Sequence, residues 1–559
     1  MEINNYDAII VGGGHNGLVA AAYFARAGLR PVVLEARETV GGAADTSAPF
    51  ADYPEIKVST YSYVVSVLPA FVVHDLGLRR FGFEVKPVNM VSHPLPAGGA
   101  IETFNDDMGR TCESIARFSK RDAERFPDWS EWLDGVCQVV APLFLQVPPR
   151  LGSLSPGDLL EQARLAWKLR GLGHRGVADL ARIFTMSMTD LLDSWFESEQ
   201  LKGALSLWGV IGTWGGPDSP GSAFMALHAG IADVDGSHSA WGPPIGGMGA
   251  VTSAMRRSAE SFGAEVRTGS PVGRILTKGG RVEGVALQSG EELRAPVVVS
   301  AIHPKIAFLQ LLDRGELPND FVADIERWRT RSGTVKINLA LSELPDFRAH
   351  PGTNLQEHHT GMLNLGYSPT QVERAFQDAH IDHKGSEVPF VEGLIPSTLD
   401  PTLAPEGFHS MSLFTQWVPH EWSQEPHPEE LEAYADRVVD LYTDLAPNLR
   451  RAIVGRQVLG PYEMEQELGM LGGNIYHGEL TPDQLFHMRP AAGYADFRTP
   501  IRGLYHGSSA THAGGGVNGI PGYQVFRQVM RDKARRRQSR KSLFRAAGGS
   551  GLKSGAGRA

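Results

Sequence analysis

Cysteine is almost absent: Cys112 and Cys137 are the only two among 559 residues. Two thiols form neither a disulfide framework nor a cysteine-based metal cluster, and they point to a reducing compartment. No apolar run approaches the roughly 18 residues that a membrane-spanning helix needs. The longest, YVVSVLPAFVV, is broken by Ser66 and Pro69. It reads as a buried segment, with a lipophilic tunnel wall or a membrane-surface segment as alternatives. Neither metal-ligand spacing nor a Ser-His-Asp arrangement stands out, so no metal is expected. MEINN leads directly into an apolar strand, leaving no room for a signal or transit peptide, so a cytoplasmic location is expected.

What is present begins with length and charge. A chain of 559 residues exceeds one hydrophobic core and suggests about three or four domain-sized units. Its net charge of −10 is uneven, because residues 531–559 hold ten Lys/Arg against one acid, leaving −19 on the rest. This tail, rich in Gly and Ser after Ala547, reads as solvated and disordered. Clustered basic residues also suit anionic lipid or nucleic acid. The acidic body shows no recognition module, which argues against nucleic-acid work.

Among 64 glycines, matches to G-x-G-x-x-G are common, so their flanks decide what they mean. In YDAIIVGGGHNGLVAAAYFARAG, the run from Asp7 to Val11 predicts a buried parallel strand. Gly12, Gly14 and Gly17 suit a tight turn, a close approach to pyrophosphate, and a helix packed on the strand. Small residues from Leu18 to Ala27 predict that helix, with Gly28 at its end. The next strand, PVVLEA, places Glu35 about 20 residues beyond the glycines, where it can accept both hydroxyls of an unphosphorylated ribose. A second match, THAGGGVNGIPGYQVF, follows small polar residues and leads into a helix that turns basic, with no acid closing a later strand. Only the first match therefore marks a dinucleotide site.

ARETVGGAADTS follows Glu35 as a loop, in which Gly41 and Gly42 permit a second close backbone approach. Residues 106–200 are mainly helical in pattern, and GRVEGVALQSGEELRAPVVVSA reads as a hairpin and then a strand able to rejoin the first sheet. TVKINLAL, 334–341, predicts a strand of a different sheet, and Pro428 with Glu429 and Glu430 opens a helix ending near Pro447. The chain is thus expected to be α/β, with a nucleotide lobe interrupted twice by a second lobe.

In order along nearly the whole chain, GGGHNG with Glu35, EARETVGG, GGM at 246–248, GAEVRTGSPV, VVVSA and LYHGSSATHAGGGVNGIPG resemble the flavin amine-oxidase and phytoene-desaturase superfamily. GGNIYHGELTPDQLFHMRPAAGYADFRTPIRGLY is similar to the phytoene-desaturase-like group that includes the pyridine nucleotide-disulfide oxidoreductase domain-containing protein 2 type. The resemblance implies FAD and a Rossmann-type FAD-binding lobe from 1–75, 245–333 and 455–530. An inserted α+β substrate lobe would comprise 76–244 and 334–454, with 531–559 as the tail. It implies cofactor contacts at Gly12, Gly14, His15, Asn16 and Gly17, then at Glu35, Ala36, Arg37, Gly41, Gly42 and Val272. At the C-terminal element the implied contacts are Gly507, Ser508, Gly515, Gly516, Val517 and Asn518, with amides near Val517 facing the charge of reduced flavin. Ala43 stands where many relatives have Arg, leaving Arg37 as the nearby cation for the pyrophosphate, and Ser508 stands where many have an acid.

Hydride transfer to a flavin needs few acid/base groups. Lys336 matches by context the lysine that amine oxidases hold, through water, near flavin N5; the alternative is a strand lysine reaching solvent. His512 either faces the ring or supports the loop. His477, Tyr476, Arg489 and Tyr494 are candidates for closing a substrate pocket, and His15 reads as a backbone support. The expected activity is hydride removal from, or isomerisation of, a lipophilic, polyene- or carotenoid-like substrate, with oxygen or a quinone as acceptor. Peripheral membrane contact and self-association stay open. One alternative is amine oxidation, which calls for an aromatic cage that Trp208, Trp214 or Trp241 would have to supply; another is a flavoprotein without turnover that acts as a binding subunit.

Overall fold

Residues 6–231, 233–234, 237–238, 241–512 and 514–549 are described by the computed structural model. The Ala8–Val11 strand pairs in parallel with Pro31–Leu34 on one side and Val298–Ser300 on the other. Leu504–His506 and Glu265–Arg267 complete a five-stranded parallel sheet at its two edges. All four residues of the first strand are buried, as a parallel sheet covered on both faces requires. The His15–Arg26 helix buries every residue from Asn16 to Ala25.

The C-terminal Ile520–Gly549 helix lies against that first helix. Gly522 makes the contact close, since a Cβ there would stand 2.2 Å from the Asn16 carbonyl oxygen, and Tyr23 stacks on Phe526 at 5.5 Å. This helix corrects the expectation of an irregular segment from 531. Asp532 accepts from the Arg498 Nε at 3.0 Å and from the Tyr505 hydroxyl at 2.9 Å, so the first residues of the basic stretch are tied down. Composition sees the ten cations but not the partners of the one acid. Residues 550–559 of the expected tail lie outside the described residues.

The second sheet has seven strands, in the order Ile453–Leu459, Thr334–Leu341, His409–Gln416, Phe390–Leu394, Met362–Leu363, Met90–Pro94 and Ala100–Phe104. The expected lobe boundary at 454/455 falls inside its first strand, which pairs antiparallel with Thr334–Leu341 and so belongs with this seven-stranded sheet rather than the five-stranded one. Thr334–Leu341 is buried at all eight positions. Because side chains alternate along a strand, Val335, Ile337, Leu339 and Leu341 pack under the Pro428–Leu445 helix, through Leu431, Tyr434 and Val438. Lys336 and Asn338 face the other way. Helices between Met108 and Ser206 form a further cluster built on Lys120–Phe144, a helix capped by the Ser119 hydroxyl, which accepts from the Asp122 amide at 3.0 Å. Among the described residues, no helix is long and apolar enough to cross a membrane.

Candidate functional site

A cavity of about 760 Å³ runs from the end of the first parallel strand, past the seven-stranded sheet, into the helical cluster. At its first end lie Gly12, Gly14, His15 and Asn16. The helix that starts there has no side-chain cap and no acid in its first turn, which leaves its leading amides to an anion. A Cβ on Gly14 would meet nothing within 4 Å, so this turn opens onto free space. Glu35 is buried and accepts from the Gly13 amide at 2.7 Å and the Arg37 amide at 2.9 Å, with lone pairs left over for hydroxyl donors. Ala36, Arg37, Gly41, Gly42 and Val272 also line the cavity. Arg37, however, is paired with Asp45 at 2.9 Å, so its charge is already met, and backbone amides are the main anion donors.

Of the C-terminal residues expected at the ring, Gly516 and Val517 line the cavity. Gly515 does not, because Tyr476 fills its side and a Cβ would stand 2.4 Å from the Tyr476 Cα. Asn518 folds back on its own loop, donating to the Gly515 carbonyl at 3.0 Å and accepting from the Ile520 amide at 2.8 Å. Ser508 Oγ bonds His506 Nε2 at 2.9 Å, and the Gly507 amide donates to the Ser300 carbonyl at 2.8 Å. Gly17 packs helix against turn, where a Cβ would stand 2.0 Å from the Gly12 oxygen. These residues shape the site without lining it.

His512 is corrected in the same way. Its Nε2 bonds the Leu143 carbonyl at 2.9 Å and its ring stacks near Phe144, off the cavity wall, so it anchors the loop to the Lys120–Phe144 helix. Arg489 is a fully buried staple, donating to the carbonyls of Tyr476 at 2.8 Å and of Ser509 and Thr511 at 3.2 Å. Tyr494 packs on Phe321 at 4.9 Å. Tyr476 and His477 do line the cavity. His477 adopts a left-handed φ of +57°, an arrangement that clusters at functional sites. His303, unmarked by any motif, joins it with ring centroids 5.7 Å apart. Burial holds His15 and His477 down to about 4 and His303 well below the ordinary range, so all three are neutral at pH 7. His303 follows the strand that ends at Ser300, at the carboxyl end of the parallel sheet, where ligands gather.

Across the seven-stranded sheet, Lys336 and Glu392 are both in register with Phe414, which places all three on the cavity face. Lys336 Nζ donates to Asn338 Oδ1 and, at 2.8 Å, to Ser412 Oγ. Burial lowers the Lys336 ammonium to about 7 and raises the Glu392 carboxyl to about 7. The Tyr63 hydroxyl donates to Glu392 Oε2 at 2.7 Å. Beyond them the walls are Trp129, Leu133, Leu205, Trp208 and Met225, with Trp241 also lining and Trp214 not.

The open glycine turn, the strand-end acid and the His15 and His303 Nε2 atoms, which have no partner among the described residues, fit a dinucleotide with a polar ring edge. A model of the NAD(P)-binding Rossmann-like domain matches residues 10–83, and one of flavin containing amine oxidoreductase matches residues 145–436. Pyridine nucleotide-disulfide oxidoreductase domain-containing protein 2 of Rattus norvegicus is 37% identical over 554 residues, covering 94% of each chain. The chain belongs to the flavin-containing amine oxidoreductase family. As a member, it is an FAD-dependent oxidoreductase. A phytoene desaturase (lycopene-forming) of a Paracoccus species is 25% identical, covering 92% of this chain and 95% of that protein. A putrescine oxidase triple mutant shares the fold, with a TM-score of 0.59 at 16% identity over 95% of this chain and 99% of that one.

Proposed function

We propose that the protein removes a hydride from a lipophilic substrate. The observation that carries this reading is one cavity that joins a dinucleotide cradle to a chamber walled by Trp129, Leu133, Leu205, Trp208 and Met225. FAD supplies the hydride acceptor when bound. The turn amides and Glu35 would hold its nucleotide end, and the backbone of Gly516 and Val517 would border its ring. The apolar walls bind the body of the substrate and exclude water from the reacting carbon. Lys336, uncharged in part at neutral pH, would position water or a proton beside it. The likeness to a phytoene desaturase supports a polyene- or carotenoid-like body, dehydrogenated or isomerised, with oxygen or a quinone taking the electrons. Anaerobic titration of the FAD-loaded protein with apolar candidates and with amines, followed by flavin bleaching, tests the reading. Bleaching by an apolar candidate is expected. Bleaching by amines alone would replace the reading with amine oxidation, and a flavin reducible only by dithionite would point to a binding subunit.

A further inference from the structure

We propose that Glu392 anchors a hydroxyl head group, so that the substrate is an apolar molecule bearing one O–H that donates to Glu392 Oε1. This deepens the lipophilic-substrate reading and rests on it. Glu392 is 2% exposed, lines the cavity, and keeps one oxygen without a partner among the described residues. Its other oxygen is fixed by Tyr63, which aims the carboxyl. A buried oxygen left unmatched is unfavourable unless a ligand completes it. Were the substrate a pure hydrocarbon, a carboxyl in this wall would only oppose binding.

The surroundings select an uncharged head over a cation. Lys336 stands on the same face, with Phe414 between the two in register, and its Nζ already lies 5.6 Å from the Tyr63 ring centre. A cationic head would have to shed a strongly held hydration shell to reach Glu392 in this apolar chamber. A hydroxyl donates to Oε1 and, being uncharged, loses far less hydration on entering the chamber.

Binding to the FAD-loaded protein at pH 8, followed by calorimetry, tests the proposal with octan-1-ol, octane and octylamine as probes. The wild type should bind octan-1-ol about tenfold more tightly than octane, the effect of one hydrogen bond to a charged acceptor. Glu392→Leu should abolish this preference while octane affinity stays within about twofold. Since Leu leaves the Tyr63 hydroxyl unpaired, Glu392→Leu with Tyr63→Phe is the second variant; it removes both partners and should behave alike. Equal binding of octan-1-ol and octane by the wild type, tighter binding of octylamine, or a preference that survives in both variants would overturn the anchor alone. No binding of any probe would overturn the lipophilic reading with it.

Discussion

Gly14 and Gly17 stand three residues apart in one turn and meet opposite surroundings. At Gly14 the backbone has φ −70° and ψ 172°, open to any L-residue, and a Cβ would enter the cavity unopposed. At Gly17 the same atom would strike the Gly12 oxygen. Gly14→Ala should therefore leave the unfolding free energy of the FAD-free protein within about 0.5 kcal/mol of wild type while FAD affinity falls at least tenfold. Gly17→Ala should lose about 1–3 kcal/mol of stability, because overpacking displaces the helix from its strand. Denaturant unfolding and FAD titration on both variants check this. Equal FAD affinity in Gly14→Ala would remove the pyrophosphate from this turn. The strand-turn-helix-strand geometry was readable from the sequence, since strand, glycines, helix and acid all lie within thirty positions. The position of His512 was not, because proximity to a glycine turn does not say which way a side chain faces.

Elements show where legibility ends. The Pro428–Leu445 helix announces itself through Pro428, two first-turn acids and a periodic apolar face, all local signals. The placement of Lys336 and Glu392 on one face depends on the register of three strands separated by long connections, and no local pattern encodes it. A basic helix after THAGGGVNGIPG was legible locally, but its anchor to Arg498 is read only in three dimensions. Removing 539–559 should leave both FAD content and the unfolding midpoint nearly unchanged. Truncation before Asp532 removes the acceptor of the Tyr505 hydroxyl and leaves the Arg498 guanidinium with Asp496 alone. It should lower stability by about 1–3 kcal/mol, and Asp532→Asn should reproduce most of that loss. Identical denaturation curves for the two truncations would show that Asp532 does not hold the helix.

At the scale of the whole molecule, two lobes close over a cavity and bury a lysine and a carboxylic acid that each titrate near 7. Their effects on stability run in opposite directions. The Lys336 range is lowered from 10.5, so between about 7 and 10.5 the unfolded chain binds the extra proton and stability rises with pH. The Glu392 range is raised from 4.5, so between 4.5 and about 7 the folded chain keeps the extra proton and stability falls as pH rises. Together they place the least favourable point near neutrality, where both groups are poised to exchange protons with a ligand. Lys336→Met should therefore show a stability difference from wild type that moves by about 2 kcal/mol against the variant between pH 7 and 9. Glu392→Gln should show one that moves by about 2 kcal/mol in its favour between pH 5 and 7. Lost hydrogen bonds add only a constant offset, so the slope is the diagnostic quantity. Urea unfolding across that range measures it, and curves parallel to wild type in both variants would mean that neither group is desolvated by closure of the lobes.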